Sequence, residues 1–111
     1  MLNNYAIRFT PSAKNDLVLM KKNIIHKFIY QEYAISFDKK VKTAISIIKN
    51  SPKSYTATEF KYREHIIYMR CINTYLFFYI VDRDVISILR VMREGMNWKY
   101  IMMQWIMNTE R

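Results

Sequence analysis

Apolar and polar residues alternate at period two in Tyr5-Ala6-Ile7-Arg8-Phe9, which predicts a first β-strand, because a pleated strand sends successive side chains to opposite faces. Thr10-Pro11 follows as an N-cap and a first-turn proline, with Asp16 in an early turn, so a helix is expected to start there. Ala13, Leu17, Met20, Ile24 and Phe28 recur at three- and four-residue spacing and give this helix one apolar face. A second helix is expected with Ala34, Phe37, Val41, Ile45 and Ile48 as its buried stripe and Lys39, Lys40, Lys42 and Lys49 outside. Ser51-Pro52 ends it. The short break from Ile29 to Glu32 implies an antiparallel helical hairpin.

From Tyr55 to Lys61 the chain is polar and aromatic and reads as a loop or an edge strand. Three strands are then expected, Tyr62 to Arg70, Tyr75 to Val81 and Val85 to Arg93, with Asn73-Thr74 and Arg83-Asp84 as hairpin turns. The sole glycine, Gly95, falls just after the last strand. Strands joined by short turns after a helical hairpin define an α+β domain: an N-terminal strand, the hairpin packed on an antiparallel sheet, and a short C-terminal helix. One domain spanning residues 1–111 is expected from the length.

If both turns have two-residue loops, Arg70 lies opposite Phe77 and Phe77 opposite Arg90. Tyr68, Arg70, Tyr75, Phe77, Tyr79, Ile88 and Arg90 then share one face. The other face carries Ile67, Met69, Cys71, Leu76, Phe78, Ile80, Leu89 and Val91, and reads as a floor for the helices. The first face, with two arginines among aromatics, reads as open to a ligand or partner. A one-residue slip would bury Arg90 and is disfavoured on that ground.

Charge sharpens this picture. The formal net charge is +9, from 18 basic and 9 acidic residues, which suits a nucleic-acid ligand, a ribosomal or DNA-bound target, or an acidic protein. Ten of the eleven lysines precede Arg63, whereas six of the seven arginines lie from Arg63 onward, five of them in and around the strands. An arginine on a strand presents a fixed fork to phosphate or carboxylate, while a lysine on a helix surface is mostly solvated charge. Arg70 and Arg90 have a plain structural alternative in pairing with Glu59, Glu64 or Glu94. His65 reads as a partly exposed polar residue or as a general base. Cys71 reads as an inert buried thiol. With only His26 and His65 beside it, no metal-ligand spacing exists, and neither metal nor cofactor is expected. No apolar run approaches the ~20 residues that cross a bilayer, and the start of the chain lacks the pattern of a signal peptide, so the protein is expected in the cytoplasm without a membrane partner.

The order of these elements resembles the RelE/ParE superfamily of toxins from type II toxin–antitoxin systems. The residues that carry the resemblance are Tyr5 to Leu17, Asn50-Ser51-Pro52, Tyr75 to Asp82 and Ile88 to Arg93. The resemblance implies a growth-inhibiting toxin of the kind associated with plasmid stabilisation, held in check by a cognate antitoxin. Its target would be DNA gyrase in a ParE-like member, or messenger RNA on the ribosome in a RelE-like endoribonuclease. A non-toxic basic interaction domain of the same fold is the third reading. RNA-cutting members often carry an arginine after the first tyrosine of the Tyr75-to-Tyr79 segment, where this chain has Leu76, and many end in a histidine–tyrosine pair or a further basic and tyrosine set just past the last strand, where this chain has Arg93-Glu94-Gly95-Met96-Asn97-Trp98. These departures favour the gyrase reading. A replacement catalytic set would draw on Arg63, His65, Arg70, Arg90, Arg93 and Tyr100. Binding of target or antitoxin is expected at Arg70, Tyr75, Tyr79, Arg90, Arg93 and Trp98. The segment Trp98 to Met107 is helical by spacing and is expected to dock on its own sheet, with any apolar end left exposed suited to coverage by an antitoxin.

Overall fold

The computed structural model describes residues 4–27, 31–53 and 56–109. Its elements are β1 (Ala6–Phe9), α1 (Pro11–Lys27), α2 (Gln31–Asn50), β2 (Thr56–Tyr62), β3 (His65–Ile72), β4 (Tyr75–Asp82), β5 (Val85–Arg93) and α3 (Trp98–Thr109). Phe28, Ile29 and Tyr55, which entered the expectations above, lie outside the described residues; Gln31 and Glu32, expected in the break, already belong to α2. The sheet order is β1-β5-β4-β3-β2. Strands β2 to β5 form the expected antiparallel meander, and β1 adds to β5 in parallel, with Ala6 opposite Val85 and Phe9 opposite Ile88.

Local chemistry sets the helix start as the sequence predicts. Thr10 caps α1: its Oγ1 accepts from Ala13 N at 3.1 Å and donates to Leu89 O at 2.7 Å, so one hydroxyl both starts the helix and ties it to β5. Ala13 is fully buried and Leu17 and Met20 pack beside it, whereas on α2 the innermost residues are Phe37, Ala44 and Ile48. Ala44 takes the depth expected of Ile45. The stretch read as a loop or edge strand is the edge strand β2. The strand expected from Tyr62 to Arg70 is interrupted: Arg63 and Glu64, both at positive φ, turn the chain from β2 into β3, a hairpin hidden by the absence of glycine.

Two apolar clusters sandwich the sheet. On one side α1 and α2 cover Phe77, Tyr79, Ile86, Ile88 and Val91; on the other, α3 covers Ile67, Leu76, Phe78, Leu89 and Met92. Burying each such large side chain contributes about 1.5–3 kcal/mol. The expected assignment of faces is therefore corrected. The face with Tyr68, Tyr75, Phe77 and Tyr79 is the floor for the helical hairpin, and the face expected to serve as that floor is covered by α3. Alternation sorts residues into two faces but does not say which face a helix takes.

The register is corrected in one place as well. Arg70 does face Phe77, and Asp82 to Tyr79 pair with Val85 to Ile88 as a two-residue turn dictates. Leu89 is then an extra residue: beyond it Phe78 faces Arg90, and Phe77 faces Val91 instead of Arg90. This bulge produces the slip that the sequence disfavoured, and Arg90 is largely buried because a partner awaits it. Cys71, expected to be buried, is exposed.

Candidate partner-binding cleft

The bulge in β5 turns Arg90 toward α1, where Asp16 projects from the second helical turn. Arg90 Nε donates to Asp16 Oδ2 at 2.7 Å and Nη2 to Oδ1 at 2.9 Å, while Val91 N donates to Oδ2 at 2.9 Å. Both side chains are mostly shielded, at 19% and 11% exposure. Asp16 thus satisfies a guanidinium and a backbone amide, and Arg90 finds its carboxylate in α1 instead of in Glu59, Glu64 or Glu94.

The other residues singled out in the sequence fall in three places. Tyr79 is fully buried under the hairpin and donates its hydroxyl to Pro52 O at 2.9 Å; Tyr75 packs edge-on against Phe37 at 5.6 Å; and Arg70 is half-buried, in register with Phe77. Tyr75 and Tyr79 therefore do not form an open face. Trp98 packs against Phe78 at 5.4 Å and Phe60 at 6.3 Å, at the start of α3. Arg93 and Tyr100 are exposed, Arg93 at the end of β5 and Tyr100 on the outer side of α3.

Arg63 and His65 lie elsewhere, in an open cleft of about 890 Å³. Ile80, Val85, Ser87 and Leu89 contribute sheet surface to it. Arg8, Phe9, Ser12 and Lys14 border it from β1 and the first turn of α1, Tyr62, Arg63 and His65 from the β2–β3 hairpin, and Trp105 and Thr109 from the end of α3. Three side chains along it are basic, Arg8, Lys14 and Arg63. Facing them is Asp82, whose Oδ2 lies 3.8 Å from His65 Nε2, too far for a hydrogen bond but close enough for attraction if the imidazole is charged. Arg63 also lies over the Tyr62 ring, 5.2 Å from its centroid. Trp105 is fixed at the margin: its Nε1 donates to Ser12 Oγ at 2.8 Å, and its ring packs on Tyr62 at 5.1 Å.

The sequence reading missed Arg8, Ser12, Lys14 and Trp105. A usable signal existed for Arg8, which alternates with the inward Ile7 and Phe9, but only the parallel pairing of β1 with β5 brings it beside Ser87 and the β4–β5 turn. Among the described residues no group of histidine, cysteine, aspartate and glutamate could hold a metal ion. No helix among them is long and apolar enough to cross a membrane.

The same fold recurs in solved toxin–antitoxin complexes. Similar chains occur in a chromosomal ParDE system from P. aeruginosa (TM-score 0.66, 14% identity, covering 84% of this chain and 99% of that one). Others come from the RelBE2 complex of Mycobacterium tuberculosis (TM-score 0.55, 20% identity, 86% and 98% covered) and the DinJ–YafQ complex of E. coli (TM-score 0.52, 11% identity, 81% and 92% covered). No curated protein sequence matches. Residues 7–98 match the family described as ParE toxin of type II toxin–antitoxin system, parDE, and the chain belongs to that family.

Proposed function

We propose that this toxin acts by binding, with DNA gyrase as its target, and that a cognate antitoxin neutralises it. The observation that carries the reading is the spread of the candidates for phosphoryl transfer, of which only Arg63 and His65 share a site. Cutting RNA through its own 2′-hydroxyl needs a base, cations on the phosphate and an acid, all within a few ångströms of one another. Here Arg90 is engaged by Asp16, and Arg70 is half-buried in the sheet. Arg63 and His65 sit in the cleft near the start of β5, whereas Arg93 ends that strand eight residues on, about 25 Å away at the usual rise per residue. Tyr100 faces outward from α3.

One observation favours the ribosome-dependent endoribonuclease as second reading: His65 stands in a cleft with three cations, which is where a general base would be useful. Purified protein assayed for gyrase supercoiling and for mRNA cleavage on programmed ribosomes separates the two. Inhibited supercoiling without cleavage is expected; codon-dependent cleavage without inhibition would replace the gyrase reading. Growth arrest on expression, relieved by an adjacently encoded partner, separates both from a non-toxic interaction domain, for which growth would continue.

A further inference from the structure

We infer that the outer face of α2 is a sequence-independent seat for duplex DNA, in which Lys39, Lys42 and Lys49 neutralise backbone phosphates and Thr43, Ser46 and Asn50 add polar contacts. The inference rests on the gyrase reading, because a toxin that acts on gyrase meets its target together with the duplex that gyrase supercoils.

The fold aligns lysines that the sequence alone presents as mostly solvated charge. Lys39, Lys42, Ser46 and Lys49 follow one another at three- and four-residue steps, so they share the helix face opposite the buried Phe37, Ala44 and Ile48. Each is exposed, as are Lys40 at the flank, Thr43 and Asn50 between and beyond them, and Lys53 just past the helix. From Lys39 to Thr58 the sequence has no acidic residue. Asp38, at the start of the stripe, is held by Lys21 at 2.8 Å, and none of the ion pairs among the described residues includes the stripe lysines. Lys49 in the last turn also suits the helix dipole, but Lys39 and Lys42 stand roughly two turns or more before it, outside the reach of that effect. The field they build is left for a polyanion.

The kind of polyanion follows from what the stripe lacks. Between Lys39 and Asn50 every exposed residue is lysine, threonine, serine or asparagine. A protein partner would need apolar or aromatic anchors, and lysine is depleted at such interfaces. A single strand would need rings on which its bases stack. A duplex backbone needs neither, only cations and polar donors set to its phosphates. Lys42 and Lys49 lie about 10 Å apart at the helical rise, close to the ~12 Å width of the DNA major groove, so the two can reach phosphates on its opposite rims. The major groove of duplex RNA is narrower and does not match that span. Since α2 packs on the sheet face opposite α3, the stripe is also separate from the cleft.

The test titrates the full chain into a fluorescently labelled DNA duplex of arbitrary sequence, about 25 base pairs long, and reads anisotropy from about 50 to 200 mM salt. Affinity is expected to fall steeply with salt. The triple variant Lys39→Gln/Lys42→Gln/Lys49→Gln should flatten the log–log salt slope by about 1 for each lysine removed and bind about tenfold or more weakly. Glutamine keeps helix propensity at these exposed positions, and thermal unfolding checks that the variant is folded. If it is not, amide shifts of the native chain on adding the duplex decide, with Lys39, Lys42, Thr43, Ser46 and Lys49 expected to move. A native salt slope in the folded variant, shifts confined to the cleft, or no salt-dependent binding overturns the inference. So does duplex RNA of the same length that binds as tightly and loses as much in the triple variant, since the stripe would then not distinguish DNA. Inhibition of supercoiling by the native chain is scored separately. A chain that binds the duplex through the stripe without inhibiting gyrase defeats the gyrase reading and leaves a DNA seat; a chain that inhibits gyrase, with a triple variant that binds the duplex as the native chain does, defeats only this inference.

Discussion

Asp16 and Arg90, separated by 74 positions in sequence, form a two-pronged ion pair that fixes the N-terminal helix to the bulge in the last strand. The carboxylate also takes the amide of Val91, which the bulge turns away from the regular ladder. Removing one member of a shielded pair strands the other charge, a loss of about 3 kcal/mol. Arg90→Ala and Asp16→Ala should each lower the melting temperature by roughly 10 °C or more. A double substitution, Asp16→Leu with Arg90→Met, should recover part of the loss but not all, because Val91 N then lacks its acceptor. Denaturant unfolding of the native chain, Asp16→Leu, Arg90→Met and the double variant checks this; additive single effects would show that the pair is not coupled. Any loss of toxicity in Arg90→Ala is thus expected to come from unfolding, not from a missing contact to the target.

The Tyr79 hydroxyl crosses from the sheet to the end of the helical hairpin at Pro52. Tyr79→Phe keeps the ring in the core and leaves a buried carbonyl without this donor, which should cost about 1–3 kcal/mol. Since the residue is fully buried, growth arrest at permissive temperature should persist. A folded variant that no longer arrests growth would show that Tyr79 acts at an interface after all.

Trp105 anchors the last helix to the first through its bond to Ser12. Trp105→Phe retains an aromatic ring against Tyr62 and loses that hydrogen bond, worth about 1 kcal/mol, together with part of the indole's packing contact. Hydrogen exchange should then quicken through residues 98–109 while β4 and β5 stay protected. Uniform acceleration across the sheet would contradict a role confined to α3.

Thr74 holds φ at +68° in the β3–β4 turn and accepts a hydrogen bond from Glu94 N at 2.8 Å. A β-branched residue is strained in the left-handed region, by about 1–2 kcal/mol, and glycine is not. Thr74→Gly keeps the accepting carbonyl and should raise stability by up to about 1 kcal/mol once the added freedom of the unfolded chain is counted. A drop in the unfolding midpoint would mean that the threonine side chain contributes more than its backbone strain costs.

These relationships mark where the sequence was legible. The order of the elements followed from periodicity, and the capped start at Thr10 and the turn at Asn73-Thr74 from local residue chemistry, because each depends on neighbours along the chain. The Arg63-Glu64 turn escaped because two charged residues occupy positions where glycine or asparagine would normally announce it. The bulge at Leu89, the parallel docking of β1 and the choice of face by the hairpin are decided by contacts between distant segments. β4 illustrates the last case: from Leu76 to Val81 every residue is buried, so it shows no polar face from which to infer what covers it. Arg90 looked like a binding residue for the same reason, its partner being a helix residue noted only as a start signal. Arg8 and Lys14 border the cleft only once β1 has docked on β5, and neither entered the expected site.

His65 offers the sharpest test of binding against catalysis. It is partly exposed, at 37% of its side chain, and the Asp82 carboxylate lies 3.8 Å from it, beyond hydrogen-bond reach, so replacing it should disturb the fold little. A general base contributes roughly 10²–10⁴-fold to a proton transfer, and a cation on the developing charge about 2.7–4 kcal/mol. A nuclease built on this cleft would therefore lose nearly all activity in His65→Ala and again in Arg63→Ala. A toxin that acts by binding its target elsewhere should not. We expect both variants to arrest growth at expression levels close to those of the native chain, and neither the native protein nor the variants to cut messenger RNA in the ribosomal A site. Native cleavage that disappears in His65→Ala, with thermal stability unchanged, would make His65 the base of an endoribonuclease and remove gyrase from the account.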